Sequence, residues 1–252
     1  MPASEQSETI SAEGPGATGP VVSIITSTYM RANLLRRAIE SVRDQTFQDW
    51  EMCIVGDCTL DNTEEVVSSF GDARLRFHNL AEKSPPGSHG AIAKNYGIQR
   101  MAASDCIAYL DDDDAYRPQF LRTMMAFMQS HPDARVAYCR SMYRDKDTGK
   151  RMIGNPFQRW LHGYSKAKLK QYNFLNTNCV VHRKDLLDEV GYWNPDFYFD
   201  DYDLWLRMSG QCDFHYINNV MVETYVEEPG FFSRALEKGW RILRHGRRTP
   251  LE

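Results

Sequence analysis

Hydrophobic and polar positions along the chain follow the pattern of an α/β fold. Short apolar runs predict strands at residues 21–25, 52–55, 75–78 and 106–110. Between these runs, apolar residues at helical spacing predict helices over residues 34–42, 63–70 and 91–101. Strands that alternate with helices favour a mostly parallel, Rossmann-like sheet flanked by helices.

After residue 114 the pattern is less regular and predicts a mixed second half. We expect helices near residues 119–129 and 202–208, and strands near residues 135–143, 177–182 and 220–226. A polar, basic stretch with little periodicity covers residues 144–172. Loops that face the substrate are expected in this half of the chain.

Composition narrows the class of protein. At 252 residues, with 42% hydrophobic and 25% charged residues, the chain can bury the core of one large domain. The formal net charge of -4 does not favour nucleic-acid binding. No apolar stretch approaches the ~18 residues of a membrane span, and the N-terminus does not resemble a signal peptide. Six cysteines lack CxxC or metal-ligand spacing, so we expect a soluble, reduced protein of the cytoplasm.

The two ends of the chain differ from the middle. Residues 1–20 are rich in Ser, Glu, Gly, Pro and Ala, which predicts a disordered tail. Residues 231–248 hold six basic residues and one acidic residue, with apolar residues near helical spacing. This basic C-terminal helix and tail, 231–252, could pack on the domain with its basic face solvated. Alternatively, it could lie on anionic lipid at the inner face of the membrane.

Polar residues follow the predicted strands at the edge where open sheets bind ligands. Residues 26–29 end the first strand, Gly56 and Asp57 end the second, and the aspartates 111–114 follow the fourth. Because the carboxyl ends of parallel strands meet at one edge, these residues are expected to converge on one site.

Four consecutive aspartates, residues 111–114, are costly to place together because like charges in contact raise one another's pKa. A cation is therefore expected beside them. Carboxylate oxygens suit hard divalent ions, and Mg²⁺ is usually held by one or two carboxylates plus substrate phosphates. The alternative is a set of acids that face water at a helix N-terminus.

Three other features each have a structural and a functional interpretation. Asp57 could complete a turn, or accept a hydrogen bond from a base or ribose. Tyr29 could pack as an ordinary aromatic residue, or form a platform for a nucleobase. Asp200 and Asp201 precede a predicted helix, where acids favour the helix dipole, and one of them could act as a general base.

Five motifs, in order, resemble the inverting family 2 glycosyltransferases with the GT-A fold, including the spore-coat polysaccharide type. The motifs are VSIITSTYMR, IVGDCTLDNT, GAIAKNYGI, AYLDDDDAYRP and FDDYDLWLR. The resemblance covers roughly residues 21–226. It implies one GT-A domain over residues 21–230, with a donor half at 21–114 and an acceptor half at 115–230.

The resemblance also assigns roles to single residues. Contacts to the donor are implied for Ser27, Tyr29, Asp57, Lys94, Asp111 and Asp112. Asp113 becomes the ligand of a divalent cation, Mn²⁺ or Mg²⁺, and Asp201 becomes the catalytic base. The implied reaction moves a hexose from a nucleoside-diphosphate sugar, with inversion, to a saccharide, lipid-linked or protein acceptor. Polysaccharide or glycoconjugate synthesis is the implied process; the sequence names neither the sugar, the base nor the acceptor.

Some positions depart from the family pattern. Four carry another residue than the usual one: Met30 for Asn, Gly56 for Asp, Lys94 for Arg and Asp200 for Glu. Glu227 and Glu228 follow the last strand, where the family often has an Arg or His near the diphosphate. Charge survives at Lys94 and Asp200, so these departures affect fine specificity more than activity. His89, in a Gly-rich loop, could contact a phosphate or be a solvated loop residue.

Two other functions fit parts of the pattern. A nucleotidyltransferase shares the metal and nucleotide chemistry, but needs a Gly- and basic-rich phosphate loop that residues 26–30 do not provide. A degenerate nucleotide-sugar-binding or scaffold protein would not require both Asp113 and Asp201. An active enzyme is therefore expected.

Overall fold

The computed structural model describes residues 19–152 and 163–226. The strands in these ranges are β1 (Val22–Thr28), β2 (Trp50–Gly56), β3 (Leu75–Asn79), β4 (Cys106–Tyr109), β5 (Ala115–Tyr116), β6 (Val136–Asp145), β7 (Val180–Arg183) and β8 (Phe214–Val226). The helices are α1 (Ala32–Arg43), α2 (Thr63–Ser68), α3 (Ala91–Tyr96), α4 (Phe120–Ser130), α5 (Lys166–Leu169), α6 (Asp185–Val190) and α7 (Asp200–Gln211).

The strands form one mixed sheet with the order β3-β2-β1-β4-β7-β6-β8-β5. β1 pairs in parallel with β2 and β4, and β2 pairs in parallel with β3. β7 is antiparallel to β4 and β6, whereas β6 and β8 are parallel and β5 is antiparallel to β8. Helices connect the first four strands, as parallel pairing requires. The α/β class, with a parallel first half and a mixed second half, is therefore confirmed.

Both faces of the sheet are covered, which explains the continuous apolar runs in the sequence. All seven residues of β2 are buried. In β1, Ile24 packs into the cluster that includes α1 and α4, whereas Ile25 packs into the cluster that includes α3 and α7. Ligands can therefore approach the central strands at their ends rather than across a face.

The structure differs from the sequence prediction mainly in the second half. α5, α6 and β5 are not predicted, because elements this short carry too little periodicity. The predicted strand at 177–182 begins as a 3₁₀ turn, Thr177–Cys179, and the predicted helix at 202–208 begins at Asp200. β8 also extends back to Phe214, because its first residues, which form no apolar run, pair with β6 through the backbone.

Some of the predictions concern residues outside the described ranges. They are the disorder of residues 1–18, the basic helix over 231–248, and the acids Glu227 and Glu228. Among the residues that the structure describes, no helix combines the length and apolar character needed to cross a membrane. All six cysteines lie in the described ranges and are free thiols.

Candidate active site

The ends of β1, β2 and β4 and the start of α7 meet at one edge of the sheet. The backbone N–H of Asp57 donates to the carbonyl oxygen of Thr28 at 2.9 Å, which joins the ends of β2 and β1. Arg31, just after β1, reaches the aspartates that follow β4. Burial raises the pKa of Asp200 in α7, and the charge of Asp111 adds to that shift. The residues that the sequence predicts at one edge therefore do lie together.

The last of the four aspartates, Asp114, is a structural residue. Its carboxylate accepts a hydrogen bond from the backbone N–H of Tyr225 at 2.9 Å and another from Asn178 Nδ2 at 2.5 Å. Burial and the charges of Asp111 and Asp113 raise its pKa well above the usual value. Asn178 also accepts from the Asp111 N–H at 2.8 Å. These contacts anchor the aspartate run to β8 and to the 3₁₀ turn before β7.

Asp112 and Asp113 share one cation, Arg31. The Nη1 atom of Arg31 lies 3.2 Å from Asp112 Oδ1 and 3.1 Å from Asp113 Oδ2. The Asp112 side chain is only 6% exposed, and this burial raises its pKa to about 6 although Arg31 opposes the shift. The Asp113 side chain is 37% exposed, and burial followed by the charge of Asp111 raises its pKa. Asp113 is therefore the more accessible of the two carboxylates.

The residues around Asp113 fit a divalent cation that shares its ligands with a substrate. In the described part of the chain, no three His, Cys, Asp or Glu side chains are grouped to hold a metal alone. One accessible carboxylate plus phosphate oxygens is nevertheless a usual arrangement for Mg²⁺. Burial, with a smaller contribution from the neighbouring aspartates, raises the pKa values of Asp112 and Asp113, and a bound cation would favour their ionised forms.

Asp57 is buried just after β2, and both oxygens of its carboxylate accept hydrogen bonds. Its Oδ1 accepts from the Ser84 N–H at 2.9 Å and from Ser84 Oγ at 2.6 Å, and its Oδ2 accepts from Lys83 Nζ. Burial opposes ionisation, but the hydrogen bonds from Lys83 and Ser84 outweigh it and lower the pKa of Asp57. Lys83 Nζ also lies 3.6 Å from the centre of the Tyr29 ring, which is 46% exposed. Lys83 thus contacts Asp57 and Tyr29, two of the residues predicted to bind the donor.

Only glycine fits at position 56, because the side chain of Asn79 lies too close for a Cβ atom. A Cβ atom at this position would lie 2.6 Å from Asn79 Oδ1. Asn79 cannot easily give way, because it accepts from the Thr59 N–H and donates to the Thr59 carbonyl, each at 2.9 Å. The aspartate that is frequent in the family would collide here.

Met30 has a strained backbone at the same edge. Its φ angle is 55°, in the left-handed region that costs an ordinary L-residue roughly 1–2 kcal/mol. Its side chain is 50% exposed, so packing contributes little to the choice of residue. Asn, the usual family residue, tolerates this conformation better.

We therefore expect Met30→Asn to increase the free energy of unfolding by about 0.5–1 kcal/mol. The gain comes from the relief of backbone strain. Chemical denaturation of the wild type and the variant would measure it, with Met30→Leu as a control that keeps the strain and should change little. A Met30→Asn variant less stable than Met30→Leu would contradict the interpretation.

Lys94 points toward the acids of α7. Its side chain is 10% exposed, its Nζ lies 3.7 Å from Asp200 Oδ2, and it lies over the Trp193 ring at 4.2 Å from the ring centre. Nζ also donates to the carbonyl oxygen of His89 at 3.4 Å. The structure thus connects Lys94 with Asp200, whereas its predicted contact with the donor stays a prediction.

Ser27 lies against the loop before α3. A Cβ atom on Gly90 would come 2.7 Å from Ser27 Oγ, and Gly90 has a φ of +81°, so both space and backbone favour glycine. The preceding residue, His89, also has a positive φ, 47°, and its ring packs edge-on against Tyr198 at 4.8 Å. The loop therefore links the end of β1 with the segment before α7.

Asp200 and Asp201 form the first turn of α7 and differ in their partners. Asp201 Oδ1 accepts from the Tyr202 N–H at 2.7 Å, and its Oδ2 accepts from Asn173 Nδ2 at 3.0 Å. Burial, followed by the charge of Asp200, raises the pKa of Asp201 to about 6. Asp200 Oδ2 is buried without a hydrogen-bond partner in the described ranges. Asp201 is a partly buried residue, and a carboxylate with a pKa near 6 has the properties of a general base at neutral pH.

Sequence reasoning missed the residues that orient these acids. They are Arg31, Lys83, Ser84, Asn173 and Asn178. Only Arg31 adjoins a motif, since it ends VSIITSTYMR. Lys83, Ser84 and Asn173 lie in loops with no pattern of their own, and Asn178 lies in the 3₁₀ turn where the apolar pattern predicts only a strand, so the sequence does not indicate their roles.

The family model described as "Glycosyl transferase family 2" matches residues 23–190. Protein CgeD of Bacillus subtilis is 29% identical over 231 residues, which are 86% of this chain and 52% of that protein. A Campylobacter jejuni GalNAc(5)-diNAcBac-PP-undecaprenol beta-1,3-glucosyltransferase is 27% identical over 198 residues, which are 78% of this chain and 62% of that protein. The chain thus spans between half and two thirds of these relatives.

Solved structures show the same fold at low sequence identity. S. aureus TarS 1-349 in complex with UDP-GlcNAc has a TM-score of 0.66 at 16% identity, over 88% of this chain and 65% of that one. The mannosyltransferase PcManGT of Pyrobaculum calidifontis, in complex with GDP-Man and Mn²⁺, has a TM-score of 0.64 at 18% identity, over 90% and 61%. The chain therefore belongs to glycosyl transferase family 2 and has the GT-A fold.

Proposed function

We propose that this chain transfers a hexose from a nucleoside-diphosphate sugar to an acceptor hydroxyl group, with inversion at the anomeric carbon. The proposal rests mainly on Asp201, a partly buried residue whose carboxylate has a pKa raised to about 6 and which lies at the same sheet edge as the aspartate run. Polysaccharide or glycoconjugate synthesis is the process that we propose, because the C. jejuni relative is named as a glucosyltransferase for an undecaprenol-linked saccharide. The two solved structures of similar fold are complexes with the sugar nucleotides UDP-GlcNAc and GDP-Man.

The donor nucleoside binds, in this proposal, at the ends of β1 and β2. Tyr29 offers an exposed ring face for the base, and Asp57 offers an ionised carboxylate for a base or ribose donor group. Ser27 and Asp111 complete the ribose contact, and Asp112 lies toward the phosphates. Lys83 must leave the Tyr29 ring when the base arrives.

The diphosphate is proposed to sit beside Asp113. A divalent cation held there, Mn²⁺ or Mg²⁺, would neutralise the charge that develops on the leaving nucleoside diphosphate. Asp113 would hold that ion through its carboxylate, together with oxygen atoms of the diphosphate. Lys94, which is buried against Asp200, orients the acid pair and adds positive charge between the acids and the donor.

Asp201 is proposed to remove the proton of the acceptor hydroxyl as its oxygen bonds to the anomeric carbon. Attack from the face opposite the diphosphate inverts the configuration. Asn173 and the Tyr202 N–H hold the carboxylate in place. The acceptor is a saccharide, lipid-linked or protein hydroxyl group, and the C. jejuni relative, named for an undecaprenol-linked substrate, supports a lipid-linked one.

Thermal unfolding with nucleotides tests the donor site. We expect UDP or GDP, or the matching sugar nucleotide, to raise the melting temperature of the wild type in Mn²⁺ and much less in EDTA. A ligand at 100 times its Kd stabilises the native state by about 2.7 kcal/mol. Asp113→Asn should lose most of the metal-dependent part of this shift, because it removes the proposed metal ligand.

Asp133→Asn is the matched control, since Asp133 is exposed and lies outside the sheet edge. It should behave as the wild type. A shift that does not depend on metal, or that survives in Asp113→Asn, would refute the metal assignment. If no nucleotide binds, a degenerate scaffold becomes the better interpretation, and release of pyrophosphate rather than nucleoside diphosphate would indicate a nucleotidyltransferase.

A further inference from the structure

Arg31 neutralises part of the negative charge of Asp112 and Asp113, and a metal ion bound at Asp113 would disturb these ion pairs. A single atom, Nη1, lies 3.2 Å from Asp112 and 3.1 Å from Asp113. Asp113 is also the proposed metal ligand. A divalent cation that binds to Asp113 meets a guanidinium within a few ångströms, and two cations at this distance repel one another.

Arg31 is free to leave, in contrast to the other cations near the aspartates. Its side chain is 52% exposed. Arg37 donates to the backbone carbonyl oxygen of Asp113 and lies over the Tyr225 ring at 3.6 Å from its centre. Lys94 is only 10% exposed, against Asp200. Of the described cations that contact this edge, Arg31 combines access to solvent with direct contact to both carboxylates.

We propose that Arg31 is an exchangeable counter-cation, which pairs with Asp112 and Asp113 in the donor-free protein and moves to the diphosphate when the metal and donor bind. The inference rests on the proposed donor site. A guanidinium matches phosphate oxygens as well as it matches carboxylates, and it can bind them in bidentate fashion. Exchange keeps one positive charge beside the acids in the empty state, and adds one beside the leaving group in the loaded state.

If Arg31 and the metal ion compete for the same carboxylates, Arg31→Gln should change the two affinities in opposite directions. Without the guanidinium, the donor-free protein should bind Mn²⁺ more tightly, roughly tenfold, because metal binding no longer displaces an ion pair. Binding of UDP or GDP at saturating Mn²⁺ should instead weaken by roughly tenfold, because a charged partner of the diphosphate is missing. Electron paramagnetic resonance would measure free Mn²⁺, and titration calorimetry would measure nucleotide binding.

Two variants serve as controls. Arg36→Gln removes a charge from α1, the helix that follows Arg31, but Arg36 is exposed and packs over Phe70, so both affinities should stay at the wild-type value. Arg31→Lys keeps a charge and should bind Mn²⁺ nearly as the wild type does. If Arg31→Gln does not fold, Arg31→Lys is the variant to be measured in its place.

The opposite changes in the two affinities are the result that supports the proposal. Equal or weaker Mn²⁺ binding by Arg31→Gln would overturn it, and so would unchanged nucleotide binding. If the wild type binds nucleotide in a metal-dependent way while Arg31→Gln matches it in both assays, only the role of Arg31 fails. If the wild type binds neither Mn²⁺ nor any nucleotide tested, the proposed function fails with it.

Discussion

Replacement of Asp201 by Asn is expected to abolish sugar transfer while the protein stays folded and still binds its donor. An amide cannot accept the acceptor proton, and a positioned general base is worth about 10²–10⁴-fold in rate. Product formation from the donor identified by thermal unfolding would measure the loss. Full turnover by Asp201→Asn would rule out the assignment of the base.

The same substitution should stabilise the fold at neutral and higher pH. The pKa of Asp201 rises from 3.8 to about 6 in the folded protein because of burial and the charge of Asp200. Ionisation of this carboxylate therefore lowers the free energy of unfolding. The loss is absent below about pH 4, develops as the pH rises, and is complete above about pH 6. At about 1.4 kcal/mol per pKa unit, and allowing for partial exposure, Asp201→Asn should gain about 1–2 kcal/mol at pH 8.

Asp203→Asn is a matched control in the same helix. Asp203 forms an ion pair with Arg207 at 2.8 Å and is not assigned to the reaction. This variant should retain transfer and gain no stability at pH 8. An equal loss of activity in both variants would mean that α7 tolerates no substitution there, and that Asp201 has no special role.

The pH profile provides an independent measurement. The wild-type rate should fall as the pH decreases through about 6, because the base becomes protonated. Asp200→Asn should move this midpoint to lower pH, since it removes a negative neighbour that raises the pKa of Asp201. A midpoint that rises or stays constant in Asp200→Asn would contradict the proposed coupling.

Truncation of Trp193 is expected to produce the largest loss of stability. The residue is 2% exposed, its Nε1 donates to Tyr109 Oη at 3.1 Å, and its ring packs edge-on against Tyr109 and Trp205. Asn95 holds its backbone with hydrogen bonds of 3.0 Å and 2.8 Å. Loss of a buried aromatic side chain costs about 3–5 kcal/mol, so Trp193→Ala should lower the free energy of unfolding by that amount.

The network behind Trp193 explains why a milder variant should also lose stability. His182 Nδ1 donates to the Arg183 carbonyl at 2.8 Å, so its Nε2 must accept the Tyr109 hydroxyl, also at 2.8 Å. Trp193→Phe keeps most of the volume but leaves the Tyr109 oxygen without its donor, which should cost about 1–3 kcal/mol.

Phe197→Ala is the control for aromatic truncation, since Phe197 is 50% exposed and should cost less than about 0.5 kcal/mol. Denaturant unfolding of Trp193→Ala, Trp193→Phe and Phe197→Ala would measure the order of their free energies of unfolding. Equal stability of Trp193→Ala and Phe197→Ala would show that the aromatic cluster around Trp193 does not stabilise the fold.

Much of the fold could be predicted because the apolar runs are local. β1, β2 and β4 are buried on both faces, and each appears in the sequence as a continuous run. The short elements α5, α6 and β5 could not be predicted, because elements of two to six residues carry too little periodicity and depend on contacts with the rest of the fold. The start of α7 was misplaced by two residues, since acids are equally common just before a helix and in its first turn.

The roles of the four aspartates could not be separated by sequence, since all follow the same strand. Asp114 is structural because of Asn178 and Tyr225, which lie 64 and 111 residues away along the chain. Asp113 remains more accessible because its side-chain partner, Arg31, is itself half-exposed and leaves the Asp113 side chain 37% exposed. Burial and hydrogen bonding, which distant residues supply, decide which acid is available for chemistry.

The sequence by itself determined that an α/β sheet presents acidic residues at one edge, because hydrophobic period and strand-end position are local properties of the chain. Only the tertiary structure decided which charges meet. Arg31 with the aspartate run and Lys94 with Asp200 are pairs across elements that no spacing in the sequence predicts. The pKa values depend on burial and on distances between charges in space, and folding alone establishes both.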